Sequence, residues 1–441
     1  MKWSFLPAFF FALPVLAQTP AATDSHIKLT ARAERADALY HQHEPVIFVL
    51  KLERDGKPVP SAEVDWTMVK DGLPLDQKGR ATIKDGEAKV TGKLDEPGFL
   101  QVRASYREQP KAAPVTAAGG AGIDPTEIKP SMPVPEDFDA FWDAQKKKLA
   151  AIPLNPHLEE VKSPSKTVAA WDIKADSVRS QISGYLAKPV GAAPKSLPII
   201  LTVHGAGVRS SALGGPVGWA AQGFVAMDMN AHGIPNGRPD AYYTELANTT
   251  LKDYRYVGRD SREECYFLFM YLRLIRALDF LTSQPEWDGK TVIVYGGSQG
   301  GAQAFAAAGL DPRVTFFCAA VPAMNDHTGM VVNRIAGWPK LVAVNADHQP
   351  DPKGIEAARY FDGMNLATRT HALGAQVTTG FIDTVCPPTS VYAAYNALTI
   401  PKHIFNDIEY GHPYSKDAIA AMTKAAHDHA EARRVVPWKA K

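Results

Sequence analysis

Apolar and polar positions change rhythm along this chain. From 25 to 110 the apolar residues come in short β-rich runs: Ile27-Lys-Leu-Thr-Ala-Arg-Ala33, Val46-Ile-Phe-Val-Leu-Lys-Leu52, Val64-Asp-Trp-Thr-Met68, Glu87-Ala-Lys-Val-Thr91 and Phe99-Leu-Gln-Val-Arg-Ala-Ser-Tyr106. Asp55-Gly56, Asp71-Gly72, Asp85-Gly86 and Pro97-Gly98 separate them as turn signals. Strands at that spacing, with no helix-length pattern between them, predict an immunoglobulin-like β-sandwich over 25–110. Ala, Gly and Pro crowd residues 112–123, so 111–129 reads as a linker.

From 130 to 441 the rhythm becomes strand alternating with helix. Strand-like runs stand near 198–203, 224–228, 291–295, 314–320, 376–382 and 402–405. The longest helical segment between them is 262–283, where Phe267, Tyr271, Ile275, Leu278 and Leu281 recur at three- and four-residue spacing. That is one face packed on a sheet. Right-handed crossovers then give an α/β unit, a doubly wound and mainly parallel sheet with helices on both faces. At 441 residues and 45% hydrophobic content the chain can build more than one core.

The chemistry concentrates at Gly296-Gly-Ser-Gln-Gly-Gly301, set behind the run Thr291-Val-Ile-Val-Tyr295 and ahead of an alanine-rich helix former. Strand, Gly-x-Ser-x-Gly turn and helix together read as a nucleophile elbow that exposes Ser298 at the top of a parallel sheet. The bland reading is a glycine-rich loop joining strand to helix. A serine is a weak nucleophile at its own pKa, so the elbow predicts a base and an orienting acid in the chain order Ser, Asp or Glu, His. Asp383, closing the strand-like run 376–382, is the acid, because active sites of open parallel sheets lie at strand carboxyl ends. His412, in the loop after the last strand, is the base. The oxyanion donors follow from the same architecture: the backbone N–H of Gln299, and that of Ala206 in His204-Gly-Ala-Gly207 behind the strand-like run 198–203.

Other residues compete for these roles. Asp407 and Glu409 stand close to His412 in sequence, where neighbours rarely face each other. Asp326 and His327 could serve as an acid and base pair, though a pocket-wall or capping role fits them better. His232 reads as an active-face residue without an assigned role, and His204 as a brace for its loop. His427 and His429, two apart on a C-terminal helix, point to different faces and make a poor metal pair. Trp66 and Tyr106 could stack on sugars but read more simply as core.

Several motifs together resemble one family. Gly-Gly-Ser-Gln-Gly-Gly at 296–301, Asp311-Pro-Arg-Val314, Asp383-Thr-Val-Cys-Pro-Pro388, Val391-Tyr-Ala-Ala-Tyr-Asn396, the late His412 and Pro135-Glu-Asp-Phe-Asp-Ala-Phe-Trp142 look like the acetyl xylan esterase and cephalosporin-C deacetylase family of carbohydrate esterases. The resemblance runs from about 130 to the C-terminus. It implies an α/β-hydrolase fold, no metal or organic cofactor, and removal of O-acetyl groups from sugars such as acetylated xylan, xylo-oligosaccharides or cephalosporin C. It would make Ser298 the nucleophile, Asp383 the orienter, His412 the base, and Gln299 with Ala206 the oxyanion hole. Two departures stand out: the family's Arg-Gly-Gln-Gly segment is replaced by Met229-Asn-Ala-His-Gly-Ile-Pro-Asn-Gly237, and the Glu beside its catalytic histidine by Tyr410-Gly-His-Pro413. Substrate range and the family's frequent ring of subunits carry over less directly than the chemistry, and a homo-oligomer is one expectation. A general short-chain esterase, another α/β-hydrolase, and a catalytically dead polysaccharide-binding protein are the alternatives.

Compartment and partners come from the remaining features. Met1-Lys2, the apolar run 3–13 and Val15-Leu-Ala17 read as a secretory signal peptide over 1–17, cleaved after Ala17. A secreted or periplasmic protein is expected, with no membrane contact after cleavage. Cys265, Cys318 and Cys386 are too few for a disulfide framework and read as unpaired buried thiols. Lys+Arg 48 against Asp+Glu 47 shows no basic excess, so nucleic acid and anionic membranes are poor partners.

Overall fold

The structure is a computed structural model that describes residues 26–434; the leader read at 1–17 lies outside the described residues. Two nine-stranded sheets organise it.

The first sheet contains β1 Ile27–Ala33, β2 Leu39–Tyr40, β3 Val46–Arg54, β4 Lys57–Pro58, β5 Ser61–Lys70, β6 Leu73–Lys84, β7 Glu87–Gly92, β8 Gly98–Tyr106 and β9 Val115–Ile123. Three Asp-Gly pairs make its hairpins. Asp55, Asp71 and Asp85 sit at φ 50, each followed by a glycine at positive φ, and the strands close directly across them (Arg54 with Lys57, Lys70 with Leu73, Lys84 with Glu87). Two positive-φ residues in a two-residue loop match the right-handed twist of the flanking strands.

The stacked pair of sheets expected over 25–110 is replaced by one hydrogen-bonded sheet in the order β1-β3-β7-β6-β5-β8-β9-β2, with β4 on β3. It curls until β1 lies across β9. The stretch read as a linker is what allows this. Residues 115–123 pair with β8 along their whole length, and the small side chains let backbones touch: a Cβ at Gly119 would stand 2.7 Å from the Ala31 carbonyl oxygen. Alanine and glycine here serve close packing rather than flexibility.

The second sheet contains β10 His157–Val161, β11 Val168–Ser177, β12 Ser180–Pro189, β13 Leu197–Val203, β14 Val225–Met229, β15 Trp287–Gly297, β16 Phe316–Ala320, β17 Ala375–Gly380 and β18 Lys402–Asp407. Their order is β10-β11-β12-β14-β13-β15-β16-β17-β18. It is a mixed sheet. Strands β10, β11 and β12 run antiparallel up to β14, and every pairing from β14 to β18 is parallel. Alternation along β13 sends Ile199, Leu201 and Val203 into the main core and Ile200 into a second cluster under Trp219, Phe224 and Met422. The helix expected over 262–283 runs Tyr266–Thr282. Turns around Gly258, at φ 64, occupy the residues ahead of it.

The chain leaves β13 to one side for β14 and returns on its other side as β15. A crevice opens at the carboxyl ends of strands where the order reverses in this way. Among the described residues no helix is long and apolar enough to cross a membrane. Trp66 packs against the core and Tyr106 lies within it.

The two sheets share one apolar core, which runs without a break from Ile27 to Leu398. Phe99 of β8 joins them: fully buried, it meets Phe381 edge-on at 4.9 Å and Tyr392 at 5.4 Å. Phe99→Ala should cost about 3–5 kcal/mol, read as a lower urea midpoint in one cooperative transition. Two separate transitions, with only the first moved, would mean that the sheets unfold independently.

Candidate active site

Four strand ends supply the site. Ser298 follows β15 directly and is held at φ 57, ψ −120, a backbone region that strains any L-residue. The crowding around it explains the glycines. A Cβ at Gly296 would lie 2.5 Å from the Gly300 backbone, and one at Gly300 would lie 2.2 Å from the Val203 carbonyl oxygen. With no Cβ at either place the turn closes against β13, and the helix Gln299–Leu310 starts at once.

Three side chains named from sequence meet here. His412 Nε2 lies 2.9 Å from Ser298 Oγ, and His412 Nδ1 lies 2.9 Å from Asp383 Oδ2. Asp383 is fully buried, and its other oxygen accepts the amides of Val385 at 2.7 Å and Cys386 at 2.9 Å. A carboxylate can only accept, so Nδ1 carries the proton and Nε2 faces the serine with its lone pair. Asp383 stands three residues beyond the end of β17 rather than on the strand. The segment leaves the sheet at Gly380, where a Cβ would meet the Gly411 carbonyl oxygen at 2.4 Å, and this close approach keeps acid and base loops side by side.

The backbone groups named from sequence are oriented through their peptide planes, in which C=O and N–H point opposite ways. The Ser298 carbonyl accepts the amides of Ala302 at 3.1 Å and Ala323 at 3.0 Å, which turns the Gln299 N–H the other way. The Gly205 carbonyl accepts from His204 Nδ1 at 2.7 Å and Arg209 Nη2 at 3.3 Å, which does the same for the Ala206 N–H. Arg209 also binds the Ala206 carbonyl at 2.7 Å, and Gln303 the His204 carbonyl at 3.2 Å.

His204 and His232 brace this loop. His204 accepts the Ala231 amide on Nε2 at 3.1 Å while donating from Nδ1; burial holds it well below the usual histidine range, with the Arg209 charge adding to the effect. His232 donates from Nε2 to the Gly207 carbonyl at 3.2 Å and accepts on Nδ1 from the Tyr266 hydroxyl at 2.7 Å. Tyr254, whose hydroxyl burial pushes up and keeps protonated, donates to the Gln299 side chain at 2.6 Å. Sequence reasoning left His232 without a role and passed over Arg209, Tyr254 and Tyr266. Arg209 could have been suspected from its place two residues after Gly207; nothing in the spacing announces the tyrosines.

The competing residues are elsewhere. Asp407 accepts the Ser415 amide at 2.6 Å, Glu409 is exposed, and Asp326 pairs with Arg334 at 3.2 Å. His327 is buried beside Asp362, whose carboxylate accepts the His327 amide at 2.7 Å. His427 packs on Trp219 and His429 on Phe316. The three cysteines are free and buried. Cys386 Sγ comes within 4.8 Å of donor atoms of Asp383 and His412, a spacing that could suit a metal. Both Asp383 oxygens are already engaged, however, and burial together with the Asp383 charge pushes the thiol well up. The set is wired as a hydrogen-bonded acid and base.

The family model described as Acetyl xylan esterase (AXE1) matches residues 125–426. The chain belongs to the acetyl xylan esterase and cephalosporin-C deacetylase family. It is 35% identical over 384 residues to acetyl esterase Axe7A of Xylanibacter ruminicola, covering 83% of this chain and 82% of that protein. So long a match reaches into the N-terminal sheet. Among solved structures, the acetyl xylan esterase from Paenibacillus sp. R4 is 28% identical with a TM-score of 0.60, covering 69% of this chain and 98% of its own. Acetyl xylan esterase 1 from Thermoanaerobacterium sp. JW/SL YS485, at 24% identity and TM-score 0.58 over 69% of this chain and 97% of its own, shares the fold. The chain is a hydrolytic enzyme of the esterase class with an α/β-hydrolase-like fold.

The buried histidines give this family member a testable pH signature. Burial, helped by Arg273, pushes His232 down to about 3, while an unfolded histidine takes up a proton below about 6.5. Between those values the unfolded chain binds more protons. Stability therefore falls as pH drops, by up to about 1.4 kcal/mol per pH unit for this group. His232→Gln should lose less stability than wild type between about pH 6 and about pH 4 in urea unfolding. Equal slopes would mean that His232 is protonated in the folded protein.

Proposed function

We propose that the protein is a serine esterase that removes O-acetyl groups from carbohydrates, acetylated xylan and its oligosaccharides foremost. The observation that carries this reading is the row Asp383–His412–Ser298, joined by two 2.9 Å hydrogen bonds. Its relatives, an acetyl esterase and an acetyl xylan esterase, support the acetyl group and the sugar.

Ser298 Oγ attacks the acetyl carbonyl carbon while His412 Nε2 takes its proton, and Asp383 stabilises the imidazolium that forms. The carbonyl oxygen, now an anion, receives the Gln299 and Ala206 N–H groups, each such donor being worth roughly 10²–10³ in rate. As the intermediate collapses, His412 returns the proton to the departing sugar oxygen and leaves Ser298 acetylated. Water then repeats the sequence in reverse and releases acetate. The leader motif at 1–17 supports a secreted or periplasmic setting, where such a polymer would be met.

Acetate release from acetylated xylo-oligosaccharides, compared with hydrolysis of 4-nitrophenyl acetate, butyrate and octanoate, tests the reading. Activity should be confined to short acyl chains and sugar acetates and should fall by at least about 10³-fold in Ser298→Ala. Ready hydrolysis of the octanoate with no acetate from the sugars would instead make it a general esterase, and full activity in Ser298→Ala would remove the mechanism.

A further inference from the structure

Strands β8 and β9 present one flat face to the segment that carries Asp383. Side chains two apart on a strand share a face, as do residues directly paired across strands. Phe99 and Gln101 of β8 pair with Gly122 and Gly120 of β9, and this patch is seated on Phe381. The Phe99 ring meets the Phe381 ring edge-on, and a Cβ at Gly120 would lie 2.6 Å from the Phe381 carbonyl oxygen. Gln101, itself buried, donates from Nε2 to that same oxygen at 2.9 Å.

That hydrogen bond controls more than one residue. The Phe381 carbonyl belongs to the peptide whose N–H is that of Ile382, and this N–H donates to the Tyr410 carbonyl at 3.2 Å. One peptide plane therefore joins the N-terminal sheet on one side to the loop of His412 on the other, with Asp383 the next residue along.

The far end of the segment is held from the same sheet. Helix Pro388–Ala397 follows Asp383, and its N-cap residue Pro387 makes no side-chain cap. Asp71, at the tip of the β5–β6 hairpin, reaches that end of the helix: it accepts the Thr389 hydroxyl on Oδ2. An acidic side chain there lies at the positive end of the helix dipole. At the other end of the helix, Asn396 Nδ2 donates to the carbonyls of Pro125 and Ile128, each at 2.9 Å.

We propose that the N-terminal sheet is a clamp that sets Asp383 against His412, with Gln101 and Asp71 as positioning residues, an inference that rests on the triad reading above. A buried glutamine amide is costly to desolvate, and Gln101 recovers that cost through the Phe381 carbonyl. On this reading the hydrogen bond between acid and base depends on a sheet far away in sequence. An error of about 1 Å in such a contact can cost on the order of 10²-fold in rate.

Gln101→Met keeps the side-chain volume and removes the donor; Thr389→Val removes the hydroxyl that Asp71 accepts, and Thr389→Ser restores it. With 4-nitrophenyl acetate, kcat should fall about 10-fold or more in the first two variants while KM stays within about twofold, because the defect lies in the reacting groups and not in binding. The low-field proton NMR signal of the His412 Nδ1–H should shift or broaden in both, and Thr389→Ser should recover kcat and signal together. Wild-type kcat and an unmoved signal in folded Gln101→Met and Thr389→Val, whatever their thermal stability, would overturn the clamp. Since Ser298→Ala is run in the same assay, that outcome leaves the triad intact, whereas activity surviving Ser298→Ala removes triad and clamp together.

Discussion

His412 makes two hydrogen bonds, and the rest of the molecule is arranged so that both can exist at once. Its partners, Ser298 and Asp383, are 114 and 29 residues away in the chain. They leave different strands of one sheet and reach the imidazole from opposite sides. A histidine can satisfy an acceptor on Nδ1 and a hydroxyl on Nε2 only if ring plane, carboxylate and serine are all held within tenths of an ångström. The strained Ser298 backbone, the glycines at 296 and 300 and the buried Asp383 carboxylate are the local means. Parallel strands in a fixed order, with the reversal at β13, are the global one.

Electrostatics follow from burial in the same way. The loop 204–207 is braced by two histidines that burial holds neutral. A neutral imidazole offers one donor and one acceptor, which is what each of these needs to bridge two backbone or hydroxyl groups. Protonation of His204 would turn its acceptor nitrogen into a second donor and break its contact with the Ala231 amide. Burial thus keeps the two scaffold histidines near the serine uncharged.

Much of this was legible in the sequence. Strand, glycine-bracketed serine and helix form a local signal, because the elbow's geometry is set within six residues. That Asp383 and His412 meet at Ser298 was legible because chain order and strand ends restrict where partners can lie. The N-terminal sheet was read less well. Its hairpins were evident from the Asp-Gly pairs, but whether strands join one sheet or two depends on long-range register, which short β runs do not encode. The run 112–123 misled for a specific reason: alanine and glycine mark flexible linkers and also strands pressed against another backbone, and only the neighbour at Ala31 distinguishes them. Arg209, Tyr254 and Tyr266 act through tertiary contacts with loops distant in sequence, and no motif signals such contacts.

In the proposed mechanism Ser298 is the nucleophile, activated by His412. Reaction of the intact protein with a fluorophosphonate, followed by mass spectrometry of its peptides, tests it directly. One adduct per chain is expected, on Ser298, formed readily in the wild type and lost when His412 is replaced by alanine. Labelling at another residue, or equal labelling of Ser298 without the histidine, would contradict it.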